Sequence, residues 1–269
     1  MTTLLSVAPD ELGAVRELSH SAVQWASRAA RANLPAAADD SHSNLGWDES
    51  QFGLISHPLA PNSRHQLGFS FHSYSLLWLE GGELTASFDL TRATEGDARA
   101  WCDYQLGEAG LNTTEDVELP YELPTVDYRD IADASMEELG ALGLWFSTAQ
   151  TLLDNVVAKF GDGGISLPRV RCWPHHYDLA TLIVLDEGDP ETARSVGVGL
   201  SPGDGTYAEP YFYCTPWPTP HALPEAPSPM RWNTEGFTAL VLPAIRIEES
   251  TDLDATLTAA VESSLAILR

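Results

Sequence analysis

Apolar residues recur at helical spacing near the start of the chain. Leu12, Val15, Leu18, Ala22, Trp25, Ala26 and Ala29 would line one stripe of a helix over residues 9–31. Pro9 suits the first turn, and Asp10 and Glu11 complement its positive end. Residues 68–79 then form an apolar, β-prone run, Gly81-Gly82 offers a turn, and Leu84, Ala86, Phe88 and Leu90 alternate with polar positions. This pattern predicts a β-hairpin. Thr94 and Asp97 have capping-box spacing for a short helix that stops near Gly107.

A second long helix is expected from Ser135, capped with Glu138 and ended by Gly161. It carries Leu139, Leu142, Trp145, Phe146, Ala149, Leu152, Leu153, Val156 and Phe160 on a broad apolar face. Strands follow at about 170–185, 195–200, 207–215 and 237–247, with a Pro-rich loop at 216–229. A last helix spans about 252–268, capped by Ser250 or Thr251. Long helices among antiparallel-looking strands, without regular βαβ alternation, predict the α+β class: mainly antiparallel sheets with amphipathic helices packed on one face.

The acidic stretch 113–134, interrupted by Pro120 and Pro124, divides residues 1–112, a helix-plus-hairpin half, from residues 135–269, a helix-plus-sheet half. One compact domain is the alternative reading. His72-Ser73-Tyr74-Ser75-Leu76 echoes His175-His176-Tyr177-Asp178-Leu179, and each half begins with a long helix, so the halves have the marks of a pseudo-repeat.

Charge changes the functional picture more than any other bulk property. The 269 residues include 39 acidic and 14 basic side chains, a formal net charge of −25, and Lys159 is the sole lysine. Such a chain repels phosphate backbones, which disfavours nucleic acid as a partner. No apolar run approaches the roughly 18 residues of a membrane span. The first residues lack the basic and apolar regions of a secretory signal, so a cytoplasmic location is expected. Cys102, Cys172 and Cys214 are odd in number, widely spaced and outside any CxxC, which suits reduced thiols.

Candidate chemistry concentrates between Trp173 and Trp217. On a continuous strand, His176 and Asp178 would share one face, and Glu209 from a neighbouring strand would complete a set for a divalent metal ion or for acid–base catalysis. His221 is the second choice for that third position. Trp173, His175, Tyr177, Tyr211 and Tyr213, with Arg171 or Arg194 as an anion anchor, are candidate ligand-binding residues. The Gly-rich stretch 197–205 lacks a P-loop ending and reads as a turn between strands that could present Ser201 and Asp204. His20 and His42 read as solvated or helix-surface residues.

The blocks Trp173-Pro174-His175-His176-Tyr177-Asp178-Leu179-Ala180, Ser201-Pro202-Gly203-Asp204 and Glu209-Pro210-Tyr211 resemble those of an uncharacterised bacterial family. In that family a His/Phe/Tyr-Asp-Leu-Ala strand precedes a Gly-rich turn and an aromatic strand. The resemblance covers about the last hundred residues and implies no particular activity. The sequence thus frames three functions: a small-molecule enzyme using His176, Asp178 and Glu209, a non-catalytic binder with an aromatic pocket, and an acidic protein-interaction module.

Overall fold

The computed structural model describes residues 4–132, 136–160, 169–188 and 192–269. A 3-10 turn, Pro9–Leu12, leads into α1 (Gly13–Asn33). Five strands follow: β1 (Gly46–Asp48), β2 (Gly53–Ile55), β3 (His65–Ser70), β4 (Ser75–Glu80) and β5 (Glu83–Asp89). Then come α2 (Glu95–Glu108) and α3 (Met136–Phe160). The remaining strands are β6 (Arg171–Trp173), β7 (Asp178–Val184), β8 (Ser195–Ser201), β9 (Tyr211–Trp217), β10 (Arg231–Asn233) and β11 (Ala239–Pro243), closed by α4 (Leu253–Ile267). The strands form two antiparallel sheets, ordered β1-β2-β3-β4-β5 and β10-β11-β9-β8-β7-β6, with four helices packed against them. The α+β class expected from the pattern is the class observed.

The described chain divides into two compact units, residues 1–147 with 171–177, and residues 148–170 with 178–269. In the first unit α1 lies on β3, burying Val15, Leu18, Ala22, Trp25 and Ala26. Rings fill the rest of this core: Phe146 packs 5.2 Å from Phe71 and 5.3 Å from Tyr177 between centroids, and Trp47 stacks on it at 6.3 Å. Gly143, one turn earlier on α3, lets that helix pass close to Phe52 and Phe71, since an added Cβ would overlap both side chains.

In the second unit side chains alternate about the sheet. Thr181, Val198, Cys214 and Leu240 form one buried row across β7, β8, β9 and β11, and Leu179, Leu200, Phe212 and Leu242 form the next. α4 packs on β8 and β9 and buries Leu257, Ala260, Val261 and Ser264, with the Ser264 hydroxyl 3.3 Å from Cys214 Sγ.

Two of the expected strands are broken by turns. Residues 68–79 are split by a four-residue turn at 71–74, and residues 170–185 by one at 174–177. Each turn ends on a buried tyrosine in the left-handed region, Tyr74 at φ 48° and Tyr177 at φ 57°, and each leads directly into a strand. A non-glycine residue there costs about 1 kcal/mol, and burial of a large ring offsets it. Both corners fall in the first unit, not one in each unit.

The helix caps are mixed in outcome. Thr94 and Asp97 do form the reciprocal capping box of α2. The C-terminal helix is capped by Asp252, whose carboxylate accepts from the Ala255 amide at 3.0 Å, rather than by Ser250 or Thr251. Thr251 Oγ1 is instead used by the Glu248 amide. The expected start of α3 at Ser135 and its stop at Gly161 lie outside the described residues.

Candidate functional site

The turn at 174–177 gathers imidazoles and rings within the first unit. Its last residue, Tyr177, lies flat against His20 of α1, with centroids 4.9 Å apart and planes 5° from parallel. The Pro174 carbonyl is 2.8 Å from His20 Nε2 and accepts from Gln24 Nε2 at 2.8 Å. Gln24 in turn accepts from the Tyr121 hydroxyl at 2.9 Å. His20 is therefore half-buried and bonded rather than solvated, and it lies on α1, the helix placement being the other reading the sequence left open. The His175 and His176 rings stand 4.2 Å apart, and Trp173 meets His175 edge-on. His175 is half-buried and His176 exposed.

Burial is the main cause that holds the His20 and His175 pKa values below the ordinary 6.5. The nearby charges differ. Arg16 and His176 also oppose protonation of His20, while at His175 the opposition of His176, Arg31 and His20 is partly offset by Asp40. The neutral imidazoles are thus favoured in the fold, and the unfolded chain takes up more protons as pH falls below 6.5. Stability from these groups is complete above that pH and declines as pH drops through their lowered folded values. Thermal unfolding followed from pH 7.5 to 5 should show a falling midpoint. The His20→Gln variant should lose less over the same interval, and an equal loss would show that His20 does not contribute.

A second polar chain runs across the sheet of the second unit. Tyr213 of β9 pairs in register with Gly199 of β8, which pairs with Ala180 of β7. With no side chain at Gly199, the Tyr213 ring crosses that strand and its hydroxyl donates to the Asp178 carboxylate. Burial, then the Asp178 charge, raise the Tyr213 pKa well above its ordinary value. Tyr211 donates to Asp204 at 2.7 Å, and Tyr207 donates to Asn233 at 3.0 Å. Tyr207, Tyr213 and Phe237 pack around buried Tyr211, Ala239 and Val241.

The expected single-face arrangement of His176 and Asp178 is therefore corrected. His176 sits in a turn whose next residue is left-handed, so the two-residue alternation of a strand does not connect the positions. Glu209 is half-buried in the loop before β9, again outside strand alternation, and His221 is exposed. Arg171 is half-buried on β6. Arg194 is engaged by both Asp186 oxygens and by the Leu268 carbonyl at 2.6 Å, one bond from each guanidinium nitrogen. Among the described residues no group of three or more His, Cys, Asp and Glu side chains is placed to hold a metal ion.

A cavity of about 600 Å³ lies elsewhere in the first unit, between α1, α2 and the acidic segment 115–126. Arg28 and Arg99 stand on its helical side with Glu95, while Glu115, Glu118 and Tyr121 line the facing segment. Leu119, Leu123, Pro124 and Val126 supply apolar wall. Arg28 donates to the Val117 carbonyl at 2.5 Å and lies 5.7 Å above the Trp25 ring. Burial lowers the Arg28 pKa, Glu95 acts against this, and Arg99 adds to it. Neither arginine forms an ion pair among the described residues.

The groove is not visible in the sequence, because its walls come from three distant stretches. Its one sequence signal is the acidic, proline-interrupted segment 113–134, whose pattern suits a connection equally well.

The fold and these sites define an α+β protein whose described helices are none of them long and apolar enough to cross a membrane. The chain matches no protein-family model, no curated protein and no solved structure.

Proposed function

We propose that this chain is a non-catalytic binding protein and that the groove of its first unit takes a small zwitterionic molecule, such as an amino acid or short peptide. The observation that carries this reading is the pair of arginines. In a chain with 39 acidic residues, Arg28 and Arg99 both line one cavity without an ion pair among the described residues. Guanidinium donors in that position suit a ligand carboxylate. Glu95, Glu115 and Glu118 suit an ammonium group, and the apolar wall suits a short side chain.

The test is a thermal-shift and calorimetric screen of amino acids and dipeptides, with simple carboxylates and simple amines as half-ligands. A ligand at a hundred times its Kd should add about 2.7 kcal/mol of stability. Arg99→Ala should weaken its binding roughly tenfold or more, the scale of one charge-assisted hydrogen bond. Unchanged affinity in that variant would refute the assignment of the groove. Near-stoichiometric metal in the parent protein, lost in a His176→Ala/Asp178→Ala variant, would instead favour a catalytic site in the 173–217 region.

A further inference from the structure

The outer strands of the two sheets are unequal. β1, β6 and β10 have 3 residues each, whereas β5 has 7. The β1 side of its sheet is closed by Leu45, whose backbone exchanges hydrogen bonds of 2.9 and 2.8 Å with Cys172. β5 has no such cover: its backbone pairs with β4 and with no other segment among the described residues. Glu83, Leu84, Thr85, Ser87 and Asp89 are all exposed, Leu84 at 46%.

A long, open edge presents a row of unpaired amides and carbonyls, and proteins ordinarily blunt such edges with charged side chains, above all lysine, with proline, with a β-bulge or with a covering loop. β5 contains neither lysine nor proline; what interrupts it is the acidic pair Glu83 and Asp89 and a register shift opposite Trp78 and Leu79. Phe88 stacks on Trp101 of α2 with centroids 5.6 Å apart, whereas a register shift at Trp78 and Leu79 places exposed Leu84 on the opposite face of the sheet.

Charge says what would fit there. At the hairpin end Glu80 and Glu83 are direct cross-strand partners, a like-charge pair that disfavours itself, and neither forms an ion pair among the described residues. Asp89 sits at the other end of the strand. A second copy of this chain, pairing antiparallel through β5, would bring Glu83 of one copy against Asp89 of the other. A segment bearing Lys or Arg at its ends would neutralise both.

We propose that β5 is a docking edge for an extended, basic segment of another protein, which adds to the five-stranded sheet as a sixth strand. Backbone hydrogen bonds would supply the affinity, while the acidic ends would select basic ends.

The probe is a fluorescent heptapeptide of alternating lysine and valine, titrated by anisotropy against the full chain. Two control peptides accompany it: a glutamate–valine version, and a lysine–valine version with alternate backbone amides N-methylated along one edge. The parent peptide should bind, and both controls should bind roughly tenfold more weakly or worse. The Glu83→Lys/Asp89→Lys variant, in which only exposed side chains change, should also lose binding of the lysine peptide. Equal binding of the methylated peptide would reduce the interaction to charge attraction and overturn strand addition. No binding of the parent peptide would overturn the proposal outright. A dimer of the chain alone, seen in sedimentation and altered by the double variant, would give the edge to a second copy instead.

Discussion

Replacing Phe146 with alanine is expected to destabilise the protein by about 4 kcal/mol, the range measured when a buried ring is truncated in a packed core. Phe146 is fully buried and sits among Trp47, Phe71 and Tyr177 in the first unit. Its loss leaves a void that those rigid rings fill poorly, and Gly143 nearby has no side chain to lend. Denaturant unfolding would show the midpoint falling with little change in slope. Phe146→Leu keeps most of the volume and should cost about 1.5 kcal/mol. A cost for Phe146→Ala below that of Phe146→Leu would show that the aromatic cluster is not the core of this unit.

The second large effect belongs to Gly199. A Cβ there would lie 2.6 Å from both Cζ and Oη of Tyr213, and 2.8 Å from the Leu179 carbonyl oxygen. The carbonyl belongs to the paired strand β7, and the tyrosine is held by Asp178, so neither gives way easily. Gly199→Val should therefore cost about 3 kcal/mol. It would also expel the Tyr213 ring and break its hydrogen bond to the Asp178 carboxylate. The cause can be isolated with a double-mutant cycle: Gly199→Ala should be less costly in a Tyr213→Ala background than in the parent. An identical cost in both backgrounds would place the strain on the β7 backbone alone.

The helices were legible in the sequence because their signals are local. The Thr94–Asp97 box and the apolar stripe of α1 each depend on residues within a few turns of one another. The corners at Tyr74 and Tyr177 were hidden because their left-handed conformation is carried by tyrosine rather than glycine or asparagine, and its offset comes from distant core contacts. That one unseen feature turned two hairpins into long strands and put His176 and Asp178 on a common face. β10 was missed because 3 residues carry too little alternation to register. The pattern showed a dense set of aromatic and titratable groups at 173–217, but neither how they divide nor the groove between α1, α2 and residues 115–126. Tyr213 reaches Asp178 because Gly199 is small, a relation among three strands that spacing alone does not reveal.

The burial of all three cysteines has a practical consequence. Cys102, Cys172 and Cys214 are each enclosed, and burial pushes the Cys214 thiol up to about 12 and the Cys102 thiol well above its ordinary value. At Cys102 and Cys214 the thiolate, the form that reacts with alkylating reagents, is thus nearly absent while the protein is folded. Cys102 and Cys172 lie in the first unit and Cys214 in the second. The chain carries its own clock for local opening: the alkylation rate at each thiol, resolved by peptide mass, times how often each unit breathes without any introduced label.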